Sequence, residues 1–206
     1  MTITRTLCAL QLAVAAALVA AQPAAERGAQ KPSYQVGDRL EAGKAGRPAT
    51  APSGRYREVK WEELISPDWN PEAIIKSLNL DMMLDSDPRA IAALQKLLEE
   101  WNKAPGNPAL NGAEVRLAGF VVPLERDGNA LREFLLVPYF GACIHVPPPP
   151  ANQIVHVVSA KPIPNTATMD AVWASGRLTL LDVQTPMGNS SYRLDVTRVE
   201  PFQQRR

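Results

Sequence analysis

The chain has few of the residues that build metal clusters and disulfide frameworks. Its 206 residues include only 2 histidines and 2 cysteines. Two cysteines cannot form a disulfide framework, and two histidines exclude a histidine-rich metal site. Aromatic residues make up 6% of the chain, and the formal net charge is +1. Because nucleic acids and anionic membranes attract concentrated Lys and Arg, this balance argues against both as partners.

The remaining composition is that of a folded protein. Apolar residues make up 46% of the chain and charged residues 21%, so a hydrophobic core can form. The length fits one domain with additional segments. Proline is abundant, with 19 residues, and four prolines are consecutive.

Residues 1–21 have the pattern of a secretory signal peptide. Arg5 precedes an apolar run from Leu7 to Ala21 that only Gln11 interrupts, and small residues then offer cleavage sites. The run is shorter than the roughly 20 apolar residues of a bilayer-spanning helix, so an uncleaved anchor is the less favoured alternative. We predict a periplasmic protein without a transmembrane segment after cleavage.

Cleavage would leave a chain with no formal net charge and one thiol, that of Cys143, because Arg5 and Cys8 are removed. A lone cysteine in an oxidising compartment has no internal disulfide partner.

Residues 22–57 predict a flexible linker, because they contain almost no large apolar side chains and could not offset the entropy cost of ordering.

Residues 58–202 predict a single globular domain. Its first part, 58–104, predicts a helical cap, since Asn70–Pro71 and Asp87–Pro88 are helix start signals. The second helix, which should run to about Lys103, has apolar residues at helical spacing that predict one packed face. They are Ile91, Leu94, Leu97, Leu98 and Trp101.

Residues 112–200 predict a β-structure. Alternating or apolar runs separated by turn signals indicate five strands. They lie near 114–122, 133–137, 154–158, 172–181 and 192–199. Gly119 and Gly176 inside strands suggest bulges or bends. Five curved strands under a helical cap favour an α+β, mainly β fold, a partly open barrel of the OB type, with a β-sandwich as the alternative.

The segment 139–153 joins the second and third strands and reads Tyr-Phe-Gly-Ala-Cys-Ile-His-Val-Pro-Pro-Pro-Pro-Ala-Asn-Gln. Prolines fix φ and lack an N–H, so they predict a polyproline II rod that leaves the sheet edge. The four are Pro147, Pro148, Pro149 and Pro150. A residue before proline favours extended geometry. Extended residues 143–145 would place the thiol of Cys143 and the imidazole of His145 on one face.

This segment resembles the signature of an uncharacterised exported bacterial family, known only as a domain of unknown function. The resemblance also includes the tryptophan-containing stretch 61–69, the strand 119–124 and Glu200–Pro201. It implies an exported protein with one globular domain, loosely associated with envelope transport systems and with metal handling. It implies no established activity.

Cys143 and His145 predict a metal site, with His156 as a third ligand. Thiolate and imidazole suit zinc or copper. A closed structural zinc site needs four ligands, so another group would complete the shell. Met169 and Met187 could supply a weak axial ligand to copper, although the spacing is not that of a blue-copper centre. In the simpler alternative Cys143 is a small buried hydrophobe, His145 bonds a strand-end carbonyl and His156 is a satisfied strand histidine.

Two other functions remain open. The proline rod could dock into an aromatic groove of an envelope protein, such as a transporter. Its flanking contacts would come from Tyr139, Phe140, Asn152 and Gln153. A cysteine-nucleophile hydrolase is less favoured, because the sequence shows no glycine-rich oxyanion loop after Cys143. We therefore predict a non-enzymatic accessory or binding protein of an envelope system.

Overall fold

The computed structural model describes residues 33–40, 55–78, 87–146 and 148–203. The predicted signal peptide, most of the predicted linker and Pro147 lie outside the described residues. The described strands are β1 (Arg57–Glu58), β2 (Glu114–Asp127), β3 (Ala130–Val137), β4 (Val155–Ile163), β5 (Ala171–Thr185) and β6 (Gly188–Pro201). The helices are α1 (Pro71–Leu78) and α2 (Pro88–Trp101), with short 3₁₀ turns at Trp61–Leu64, Pro108–Leu110 and Ala151–Gln153.

The mainly β fold with a small helical part is confirmed, and its sheet closes into a barrel. The strand order is β2-β3-β4-β6-β5, and β5 pairs back onto β2. The pairing of β4 with β6 is parallel, and the other four pairings of the barrel are antiparallel. This order is that of an OB-type barrel. The sheet is fully closed, because β2 pairs with β5 from Glu114 to Phe120.

Alternation along the strands produces two apolar clusters on opposite faces of the sheet. Phe134 and Leu136 belong to the main core inside the barrel. Their neighbours Leu135 and Val137 belong to a second cluster on the outer face. The barrel therefore has a buried apolar patch on its outside, next to the segment that follows β3.

The two helices begin where the sequence predicts. The side chain of Asp87 accepts a hydrogen bond from the backbone of Arg89 at the start of α2. The predicted packed face of α2 is found only in its second half: Leu97 is buried, but Ile91 and Leu94 are 55% and 50% exposed. Neither described helix is long and apolar enough to cross a membrane.

Candidate functional site

The candidate site begins with a tight turn built around the carbonyl of Gly141. The backbone N–H of His145 donates to this oxygen at 2.8 Å, and those of Ile144 and Val146 also donate, each at 3.3 Å. Gly141 and Cys143 both have left-handed φ angles, +85° and +63°. For Cys143 this conformation costs about 1–2 kcal/mol relative to the right-handed one.

This turn contradicts the expectation that residues 143–145 are extended. Val146 precedes a proline and therefore favours an extended backbone. This preference does not extend to Cys143, because three backbone amides donate to the Gly141 carbonyl instead. The side chain of Cys143 is half-buried, whereas His145 is exposed. The alternating geometry that would place both groups on one face is therefore absent from the turn.

The thiol of Cys143 packs onto the outer apolar cluster. Its Sγ would lie 3.8 Å from a Cβ added to Gly188 at the start of β6. Burial raises the pKa of the thiol to about 11. Burial also raises the pKa of Tyr139, and the charge of a Cys143 thiolate raises it further. At neutral pH Cys143 is therefore a protonated thiol in an apolar setting.

Two methionines join Cys143 in the same cluster. Met169 is buried, and Met187 packs against the cluster as Cys143 does. The backbone N–H of Gly141 donates to the Met169 sulfur at 3.2 Å. Met169 itself has a φ of +62°. The turn thus lies where one thiol and two thioethers share an apolar environment.

His156 lies on β4 with its side chain on the outer face and is 5% exposed. Its Nε2 forms a hydrogen bond with the Glu133 carboxylate, while its buried Nδ1 has no hydrogen-bond partner in the part of the chain that the structure describes. The described residues include no group of three His, Cys, Asp or Glu side chains placed to hold a metal ion. Cys143, His145 and His156 are therefore not brought together as one ligand set in this conformation.

The described prolines pack against the domain itself. Pro149 is buried, and Pro148 and Pro150 are half-buried. The Cβ of Pro148 is 3.2 Å from the position of an added Cβ on Gly188. These three residues do not project from the barrel as the sequence suggests, and Pro148 packs its apolar ring beside Gly188.

Asn152 and Gln153 hold loops at one end of the barrel. Asn152 is fully buried, and its amide nitrogen donates to the carbonyl of Pro105 at 3.0 Å. The amide nitrogen of Gln153 donates to the carbonyl of Trp61 at 2.8 Å. The amide donors predicted to orient a partner are thus bonded to the backbone of this chain.

Tyr139 and Phe140 contact residues 33–40 of the same chain. The Phe140 ring stacks near Tyr34, with the ring centroids 6.0 Å apart, and the guanidinium of Arg39 lies 5.6 Å from the centroid of Tyr139. Residues 33–40 fall within the predicted linker, and their composition gave no sign of this contact.

Three further residues of the site were not predicted from the sequence: Glu133, Tyr34 and Gly188. Of these, only Glu133 could have been found from the sequence, because strand alternation places it on the same face as Leu135.

Comparison with known proteins gives a family but no activity. A family model described as a protein of unknown function, DUF3299, matches residues 61–201. The crystal structure of a DUF3299 family protein from Pseudomonas aeruginosa PAO1 is 34% identical, with a TM-score of 0.56, and the match covers 73% of this chain and 98% of that chain. A putative aspartyl-tRNA synthetase from Leishmania major Friedlin is 13% identical with a TM-score of 0.33, covering 52% of this chain and 20% of that one. No curated protein matches the chain.

Proposed function

The chain belongs to the DUF3299 family of proteins of unknown function, and we propose that it is an exported, non-enzymatic binding protein that holds a soft transition-metal ion at the Cys143 turn. The observation that carries the proposal is the shared apolar cluster of Cys143, Met169 and Met187. Thiolate and thioether sulfurs are soft ligands that select Cu(I). Copper in its reduced state is therefore the preferred ion.

Zinc fits this set of side chains less well. A closed structural zinc site takes four Cys or His ligands, and the described residues offer no cluster of three His, Cys, Asp or Glu groups. His145 is the one imidazole on the Cys143 turn, and its exposure leaves it able to approach a bound ion. His156 is already hydrogen-bonded to Glu133.

The raised pKa of Cys143 makes metal binding dependent on pH. A metal binds the thiolate, so binding must release the thiol proton. Because the pKa of the free thiol is about 11, the apparent affinity should rise about tenfold per pH unit below that value. The same raised pKa weighs against the hydrolase alternative, since a nucleophilic cysteine needs an accessible thiolate near neutral pH.

Export and an envelope partner complete the proposal. The N-terminal 21 residues support export through their charge and apolar pattern. A periplasmic copper-binding protein needs a donor or acceptor of the ion, and we propose that the partner is an envelope protein of a transport system. The near-zero net charge supports neither nucleic acid nor a membrane surface as a partner.

A Cu(I) competition titration under anaerobic, reducing conditions tests the site. The chain without residues 1–21 is titrated against a chromophoric Cu(I) chelator, alone and as Cys143→Ser, Met187→Leu, Met169→Leu and His145→Ala variants. We expect one ion per chain, loss of more than a hundredfold in affinity for Cys143→Ser, and about tenfold for each methionine variant. Circular dichroism and urea unfolding establish that each variant is folded.

Equal Cu(I) affinity of the wild type and Cys143→Ser would overturn the proposal. If His145→Ala lost affinity and both methionine variants kept it, the ligands would be Cys143 and His145, and the thioether site would be wrong. A parallel zinc titration compares the two ions: tighter binding of zinc than of Cu(I) would contradict the preference for a soft ion.

A further inference from the structure

Residues 33–40, here called the docked segment, lie against the chain just after β3. The backbone N–H of Gly37 donates to the carbonyl of Phe140 at 2.9 Å. The backbone N–H of Phe140 donates to the carbonyl of Asp38, also at 2.9 Å. Gly37 and Asp38 lie in a short turn, in which the backbone N–H of Gln35 donates to the Asp38 carboxylate at 2.8 Å. The docked segment therefore binds main chain to main chain, as an added peptide does.

The side chain of Tyr34 anchors the docked segment in an aromatic socket. Its ring meets Phe120 edge-on at a centroid distance of 5.0 Å and stacks with Phe140 at 6.0 Å. Phe120 and Phe140 are themselves in edge contact at 5.6 Å. The hydroxyl of Tyr34 is buried and has no hydrogen-bond partner among the described residues. The socket is thus complementary to an aromatic ring and offers nothing to a hydroxyl.

At the end of the docked segment, Leu40 packs against the outer apolar cluster and against Trp173 and Phe202. Val36 is 52% exposed, although its methyl groups reach within 3.3 Å of where a Cβ on Gly141 would be. Arg39 stacks over Tyr139 at the rim. Gly37 has a φ of +95°, and no atom of residues 33–40, 55–78, 87–146 or 148–203 lies within 4 Å of an added Cβ there. Its requirement for glycine is therefore conformational and does not arise from crowding.

We propose that the socket of Phe120 and Phe140, together with the main chain of Phe140, is a docking site for an extended peptide of a partner protein, and that the docked segment occupies it in cis. The pattern it recognises is an aromatic residue followed three positions later by glycine and then by aspartate, as Tyr34, Gly37 and Asp38 show. The site lies beside the Cys143 turn but uses different contacts, so it does not depend on metal binding.

The arrangement predicts competition between the two occupants. The docked segment is joined covalently to the barrel, which gives it an effective concentration on the order of millimolar for a short connection. A peptide added in trans must displace it and therefore binds the wild-type chain weakly. Removal of the Tyr34 ring vacates the socket and should make binding in trans visible.

The experiment measures binding of a fluorescent peptide with the sequence of residues 33–40 to the chain without residues 1–21, by anisotropy in the presence of a metal chelator. We expect binding to the Tyr34→Ala chain to be at least tenfold tighter than to the wild type. A peptide in which the tyrosine is replaced by alanine should not bind. A peptide with phenylalanine there should bind at least as tightly, because the hydroxyl has no partner in the socket.

Adding Phe140→Ala to the Tyr34→Ala chain provides the site control and should abolish binding, with the fold checked by circular dichroism. Equal binding, or none, to the wild-type and Tyr34→Ala chains would overturn the proposal. If the wild type dimerises with rising concentration and Tyr34→Ala does not, the occupant is a second copy and the partner-peptide assignment is wrong. Because the assay runs with chelator, its outcome is separate from that of the copper titration.

Discussion

Gly176 of β5 and Val196 of β6 approach each other so closely that no side chain fits between them. An added Cβ on Gly176 would lie 2.8 Å from the Cα of Val196 and 2.9 Å from the carbonyl carbon of Asp195. The pairing of β5 with β6 shifts its register at this point. Gly176 therefore marks an irregularity in the β5–β6 pairing, as a glycine inside a predicted strand suggests. Glycine is required there because the backbone of β6 lies too close for a side chain.

Gly176→Ala should lower the free energy of unfolding by about 3 kcal/mol, the upper part of the range for overpacked sites, because backbone atoms and not flexible side chains would have to move. Urea unfolding measures the loss. The matched control is Gly128→Ala, where φ is +60° and no described atom lies within 4 Å of an added Cβ. That variant should lose only about 1 kcal/mol, from backbone strain. Similar losses in both variants would show that crowding at Gly176 is not decisive.

Tyr192→Phe should destabilise the protein by about 1 kcal/mol, the net contribution of a hydrogen bond, because the two backbone groups that its hydroxyl serves also bond to each other at 3.1 Å and keep that partner. The hydroxyl accepts from the backbone N–H of Asn107 at 2.5 Å and donates to the carbonyl of Leu64 at 2.7 Å. It thereby joins β6 to two loops at the end of the barrel. Urea midpoints at pH 7 measure the effect, and an unchanged midpoint would contradict it.

The same tyrosine predicts a loss of stability at high pH. Burial raises the pKa of Tyr192 to about 12 from its usual 10. Between these values the unfolded chain releases a proton that the folded chain retains, so stability is constant below pH 10 and falls as the pH rises towards 12. Urea midpoints of the wild type should therefore fall more steeply between pH 10 and 11 than those of Tyr192→Phe. Parallel slopes would show that another group causes the loss.

The thiol of Cys143 should react slowly with iodoacetamide in the folded protein. Its pKa of about 11 reduces the thiolate fraction near neutral pH by about a hundredfold relative to an ordinary cysteine, and higher nucleophilicity recovers about tenfold of this. We expect alkylation at pH 8 to be about ten times slower than in urea, and to accelerate up to about pH 11. A fast thiol with a midpoint below pH 8 would instead favour the nucleophile alternative.

Glu200→Gln should cost about 3 kcal/mol, as for a broken buried ion pair. The guanidinium of Arg116 lies 4.1 Å from the Trp173 ring centroid and 4.0 Å from a Glu200 oxygen, with both charged side chains nearly buried. The other Glu200 oxygen pairs with Arg198 at 2.8 Å, so the variant weakens both pairs. Burial lowers the pKa of Arg116, which indicates how poorly its charge is solvated. Thermal or urea unfolding measures the change.

The control for Glu200 is Glu114→Gln, which removes a pair with the exposed Arg55 at 3.8 Å. Such surface pairs contribute about 0–1 kcal/mol. A loss of similar size in the two variants would mean that the charge of Arg116 does not depend on Glu200.

Local signals in the sequence were sufficient to predict the helices and strands of the fold. The caps at Asn70 and Asp87 predict where α1 and α2 begin, since a side-chain oxygen before a proline satisfies the first free amides. Alternation along residues 112–200 predicts five strands, and the number of strands with two internal glycines favours a small barrel. These features depend on neighbours in the chain, so the sequence alone carries them.

The candidate site required contacts that are remote in sequence. The Cys143 turn is fixed by the Gly141 carbonyl and by the sulfur of Met169, which lies 28 residues after Gly141. No rule based on neighbouring residues predicts that these two groups meet. Pro148 packs because the β5–β6 turn places Gly188 beside it.

The sequence by itself determined the helix starts and the strands, because each follows from residue type and local spacing. The export pattern, and the single thiol that cleavage would leave, stay predictions. Only the tertiary structure decided that Cys143 lies among methionines, that His156 bonds Glu133 and that Tyr34 occupies an aromatic socket. The physical reason is closure of the barrel, which brings distant side chains onto one outer face. Burial there raises the pKa of the Cys143 thiol and of Tyr34, and spacing along the chain does not encode which groups become buried.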